Sequence, residues 1–146
     1  MASPHTVEVC VKHSASEKKV EQHLRQAALA TLLHQDVPSG RVLTVVLSND
    51  DHLHHLNLQY AGKDSATDVL AFPTQASANS HYLGDIIISV EKAEMQARSA
   101  GCDQLDELRL LTVHGTLHLL GHEHGTTQTK TRMWLAQAEI LAQLET

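Results

Sequence analysis

Hydrophobic and polar positions along the 146-residue chain alternate between two periods, and the switches divide it into nine segments. Val7, Val9 and Val11 alternate with polar neighbours and predict a strand over Thr6 to Val11. Ser14-Ala-Ser16-Glu17 opens a helix, with either serine as its cap. Val20, Leu24, Ala27, Ala28 and Leu32 keep helical spacing to about Leu33. Val37-Pro-Ser-Gly40 is a loop, and the β-branched, apolar run Val42 to Leu47 is a buried strand. Asn49 or Asp50 caps a short helix reaching about Tyr60. Lys63-Asp64 makes a polar turn, and Val69 to Phe72 a short strand that Pro73 ends or confines to an edge. Leu83 to Ser89 reads as another buried strand. Val90 to Ala100 is a helix stopped at Gly101, and Asp103 caps the long helix that follows. The last helix, Thr126 to Leu144, carries Met133, Ala136, Ile140 and Leu144 on one stripe. The order β-α-β-α-β-β-α-α-α predicts an α+β fold: a single domain over residues 1–146, with a small mixed four-stranded β-sheet covered by about five helices.

Composition narrows the picture. Only four aromatics are present, Tyr60, Phe72, Tyr82 and Trp134, so aliphatic residues must carry the core, and Trp134 is assigned to it. Cys10 and Cys102 are also read as core filler in a reduced, cytoplasmic protein. No apolar run approaches the ~20 residues of a membrane span, and residues 1–10 lack the charged and apolar regions of a secretory signal. The formal net charge of −6 argues against a broadly basic nucleic-acid surface. With so few aromatics, it also argues against an independent RNA-stacking platform.

The stretch that changes the picture is His114-Gly-Thr-Leu-His118-Leu-Leu-Gly121-His-Glu-His124. The run from Leu108 to Leu120 is apolar almost all round, as in a buried helix. At i and i+4, His114 and His118 share a face roughly 6 Å apart and both can reach one ion. His122 continues that row but would lie about 12 Å from His114 along the axis, too far to converge on the same ion. Gly121 can end the helix in a left-handed conformation and turn the chain back, which makes His124 the third ligand. Three imidazoles with an open fourth position form a catalytic zinc site, one ion per chain, although another divalent transition metal would also fit. His52 and His55 also share a helical face, but with no third partner they are assigned to the surface.

The same histidine spacing occurs in metzincin proteases, where a glutamate after the first histidine is the general base. Here that position is Gly115, which disfavours a peptidase. The string instead resembles the hallmark of the YbeY family of bacterial metal-dependent endoribonucleases, H-G-x-L-H-L-x-G-(Y/H)-(D/E)-H. Two further blocks resemble the same family. Asn57, Tyr60, Lys63, Asp64, Thr67, Asp68, Val69, Leu70, Phe72 and Pro73 match its L-N-x-x-Y-R-x-K-D-x-x-T-D-V-L-S-F-P, and Leu83-Gly84-Asp85-Ile86 to Ser89 matches its L-G-D-I-x-I-S. One departure is that Ala61 stands where the family has an arginine, leaving Lys63 as the nearest cation to contact phosphate. Asp85 is expected near the metal, orienting a ligand histidine or accepting a proton; a turn or capping role stands beside that reading. The polar loop Gln75 to Ser80 is expected to flank the site.

The resemblance implies a single-strand-specific zinc-dependent endoribonuclease for RNA rather than DNA. It further implies 16S rRNA 3′-end maturation and ribosome quality control, with the small ribosomal subunit and its assembly factors as partners. Two other readings use the same metal: another hydrolase such as a peptidase, and a ribosome-assembly factor whose metal is structural.

Overall fold

A computed structural model describes residues 5–11, 18–74, 81–123 and 125–144. The elements are β1 (Thr6–Val11), α1 (Lys18–His34), β2 (Val42–Ser48), α2 (Asp50–Ala61), β3 (Val69–Pro73), β4 (Tyr82–Ser89), α3 (Val90–Ala100), α4 (Gln104–Leu119) and α5 (Thr127–Leu144). The order is the one the periodicity predicts. The proposed serine caps of α1 and the loop Gln75 to Ser80 lie outside the described residues.

The strands form one sheet in the order β1-β2-β4-β3. β1, β2 and β4 run parallel, and β3 pairs antiparallel with β4 at the edge, where the missing N–H of Pro73 is tolerated. Side chains alternate across such a sheet, so each strand serves two faces. On one face Leu43, Val45, Leu47, Ile86 and Ile88 pack with Leu24, Ala28 and Leu32 of α1 and with Leu108, Leu111 and Leu119 of α4. A second cluster, Val113 and Leu117 of α4 with Ala27, Met133, Ala136 and Ile140, joins α4 to α1 and α5. Helix α4 is therefore walled on two sides, which explains why its sequence is apolar nearly all round. Across the sheet, α2 packs against β3 and β4.

The helix ends follow local chemistry. The Asn49 side chain caps α2 by accepting from His52 N–H at 2.9 Å. Left-handed Gly101 stops α3. Asp103 occupies the N-cap position of α4 but makes no side-chain cap bond; only its carbonyl accepts, from Glu107 N–H at 3.3 Å. Thr126 and Thr129 exchange backbone N–H to hydroxyl bonds at 3.1 and 3.0 Å, a reciprocal cap for α5.

Three core assignments are corrected. Cys10 and Cys102 are both exposed. Cys10 shares the parity of Thr6 and Glu8, opposite buried Val7, and Cys102 lies just beyond the α3 stop. Trp134 is 60% exposed, because one helical step from buried Met133 carries it off the packed stripe. Among the described residues no helix is long and apolar enough to cross a membrane.

Candidate metal centre

The histidines of α4 occupy the one stripe that its two packed sides leave open. Gly115 faces the sheet so closely that a Cβ there would lie 2.6 Å from Ile86 Cγ2. Val113 and Leu117 face α1 and α5. At 100° per residue, His114 and His118 then project between these two walls, half-buried. Their Nε2 atoms converge to 3.1 Å, with ring centroids 4.7 Å apart and planes at 72°. Two imidazole lone pairs at that separation repel, so either one ring donates its Nε2–H to the other or a metal ion lies between them. Zn–N bonds of 2.0–2.1 Å at tetrahedral angles put two ligand nitrogens roughly 3.3 Å apart, so the pair suits one edge of a zinc site.

Gln137 of α5 completes this arrangement from behind. Its Oε1, an acceptor only, lies 3.1 Å from His114 Nδ1, so Nδ1 carries the proton and the Nε2 lone pair is left for an ion. Sequence reasoning missed Gln137, since nothing in the periodicity marks a polar partner on another helix. At Gly121, φ +99°, the helix ends in a Schellman turn: His122 N–H donates to Leu117 O and Gly121 N–H to His118 O, both at 3.0 Å. Beyond this turn His122 Nε2 meets Gln35 Oε1 at 2.7 Å. Burial, then Arg132 and His34, push the His122 pKa below the ordinary imidazole value. His124 lies outside the described residues. Among the described residues no group of three histidine, cysteine or acidic side chains is placed to hold a metal.

The structure does not bring Asp85 to the histidine pair. Ile86 faces α4 and alternation turns Asp85 to the opposite face, beneath α2. The expectation that it orients a ligand histidine is therefore corrected. Its Oδ1 accepts from the Tyr82 hydroxyl, which also meets Thr44 Oγ1 at 2.7 Å. Burial first, then the Asp85 contact, raises the Tyr82 pKa. Asp85 lines a cavity of about 430 Å³ with Val46, Ile87, His52, Tyr60 and Phe72. His52, assigned to the surface from sequence, thus belongs to a cavity wall, its Nδ1 2.7 Å from Ser48 Oγ. Lys63 is exposed just past left-handed Gly62, at the end of α2. Glu107 also escaped notice: it lies on the histidine stripe seven residues before His114 and is only 9% exposed. Burial, then Asp68, raises its carboxyl pKa.

The sequence model described as "Endoribonuclease YbeY" matches residues 6–145. The chain belongs to the YbeY family. Relatives named endoribonuclease YbeY include one from Geobacillus kaustophilus, 35% identical over 140 residues and 89% of each chain. One from Brevibacillus brevis is 40% identical over 138 residues, 84% of this chain and 86% of the relative. The fold matches a solution structure from Thermotoga maritima with a TM-score of 0.66 at 24% identity, covering 94% of this chain and 88% of that one.

In this YbeY chain, the packing of Gly115 explains why no glutamate stands after the first histidine. A side chain at that position would enter the Ile86–Val69 contact rather than the open stripe. Ala61, in place of the family arginine, is exposed at the last position of α2.

Proposed function

We propose that this protein is a single-strand-specific, zinc-dependent endoribonuclease acting in the cytoplasm on ribosomal RNA, in 16S 3′-end maturation and ribosome quality control. The observation that carries the metal-centred part is the convergence of His114 and His118 Nε2, with Gln137 fixing the His114 tautomer. The RNA substrate rests on membership of a family whose members are named endoribonucleases.

His114, His118 and His124 would hold one zinc ion. When bound, zinc supplies an acidified water and polarises a phosphoryl oxygen. The residues of the chain itself do the rest. Gln137 holds the His114 proton at Nδ1, the α4 packing fixes both rings, and exposed Lys63 offers a point charge to an RNA phosphate. Asp85 lies on the other face of the sheet and is not a ligand partner. Gly115 packs where a metzincin base would stand, which counts against a peptidase.

The test is cleavage of single-stranded RNA by zinc-loaded wild type, His118→Ala and His122→Ala, with metal content measured on each. Wild type and His122→Ala should retain zinc and cleave, and His118→Ala should lose both. Undiminished cleavage by His118→Ala would refute the proposal. Comparing a 3′-extended 16S precursor, free and within small subunits, tests the ribosomal assignment.

A further inference from the structure

We infer that the cavity beneath α2 is a pocket for a single RNA base, selective for bases bearing an exocyclic amine. This rests on the ribonuclease reading above. At about 430 Å³, with apolar walls and few polar groups, the cavity has the size and character of small-ligand sites. Two of the four aromatics in the chain meet at it: Tyr60 and Phe72, edge to face with centroids 5.3 Å apart. Tyr60 is 65% exposed, so its ring is open to stacking. Unpaired bases of single-stranded RNA are recognised by stacking on such rings and by hydrogen bonds to their edges. Four aromatics are too few for a platform along a strand, but two suffice for one base.

Asp85 supplies the edge contact. Tyr82 occupies its Oδ1 and holds the carboxylate in the cavity wall. An ionised carboxylate only accepts, so it favours the amine of cytosine, adenine or guanine. Uracil presents carbonyls on both sides of its one ring N–H and is disfavoured. The carboxylate also repels phosphate, so a nucleotide enters base first and leaves its backbone outside.

The pocket is placed to serve the histidine pair. Asp85 follows Gly84, where a Cβ would lie 2.9 Å from Leu119 Cδ2, and Leu119 follows His118. Both sites therefore sit at one end of β4, on opposite faces, beside the edge strand β3. A strand rounding that edge can present one base to the pocket and a phosphodiester further along to the histidines.

The test uses the metal-stripped full chain, so that binding is read without cleavage, and labelled oligo(C), oligo(A) and oligo(U) of equal length. Oligo(C) and oligo(A) should bind roughly three- to tenfold tighter than oligo(U). Tyr60→Ala should weaken all three by roughly tenfold. Asp85→Asn, whose amide donates as well as accepts, should erase the preference. Equal binding of all three by wild type, a preference that survives Asp85→Asn, or unchanged binding by Tyr60→Ala overturns the pocket. Since Tyr60 is exposed, its truncation leaves the test valid even if Asp85→Asn disturbs folding. Cleavage by the zinc-loaded chain is measured in parallel. Cleavage without base-selective binding overturns the pocket and leaves the ribonuclease; base-selective binding without cleavage does the reverse.

Discussion

Gly84 and Ile86 of β4 face α4; Asp85 and Ile87 face α2. The α4 side is packed tightly: a Cβ on Gly84 would lie 2.9 Å from Leu119 Cδ2 of α4, and one on Gly115 of α4 would lie 2.6 Å from Ile86 Cγ2. Its two histidines are the titratable exception in the mostly apolar run from Leu110 to Leu120. The α2 side is loosely filled, and one short helix leaves a cavity between itself and the strands. Rigid packing suits fixed ligands, whereas an open cavity suits an incoming group. One strand thus supports two kinds of site by parity alone.

The strongest way to break this division is to remove a ligand from one face and a wall from the other. His118→Ala should reduce bound zinc to background in elemental analysis, while Tyr60→Ala retains a full complement. Loss of metal in Tyr60→Ala would show that the two faces are not independent. Next in size is Gln137→Leu, which leaves both histidines in place but frees the His114 tautomer. Zinc affinity, read by chelator competition, should fall by roughly 10–100-fold. An affinity equal to wild type would remove Gln137 from the site.

Packing comes third. In Gly115→Ala the new methyl meets Ile86, an overpacking penalty of about 1–3 kcal/mol, offset in part by about 1 kcal/mol of helix propensity. The metal-free protein should melt up to roughly 8 °C lower. A higher Tm would mean that α4 can withdraw from the sheet at little cost. On the α2 face, Ala61→Arg adds a bidentate phosphate donor at an exposed helix end. RNA should bind roughly two- to fivefold tighter at low salt, an advantage that shrinks as salt is raised, with metal content unchanged. If nothing changes at low salt, the family arginine has another role.

Much of this was legible in the sequence, because the signals were local. Asn49 marks a helix start through its side chain, Gly101 and Gly121 mark helix ends through left-handed backbone, and the i, i+4 histidines announce a shared face. What stayed hidden depends on the relation between elements. Alternation says that Asp85 and Ile86 point oppositely, but not which face α4 covers, so the sequence is equally consistent with Asp85 beside the metal. The same ambiguity misplaced Cys10, whose neighbour Val9 packs while it does not. Trp134 beside Met133 was an error of helical phase. Gln137 carries no signal until α5 is docked, and the tightness at Gly115 needs the position of Ile86.

The smallest expected effect concerns Glu107, low on the histidine stripe. Its carboxyl is nearly buried, and burial followed by Asp68 raises its pKa above the ordinary 4.5. The folded state thus keeps this proton to a higher pH than the unfolded chain. Stability linked to the group is fully present below the unfolded pKa and is lost as pH rises through the folded one. At neutral pH the ionised group opposes folding. Glu107→Gln keeps shape and polarity but cannot ionise, so the metal-free variant should melt slightly above wild type at pH 7.5. The gap should close near pH 4, where wild type is itself largely protonated. The shift should be smaller than that of Gly115→Ala, since the carboxylate is not wholly cut off from water. A variant less stable than wild type at pH 7.5 would mean that the carboxylate accepts a favourable bond there. A gap that persists unchanged at pH 4 would mean that ionisation is not its cause.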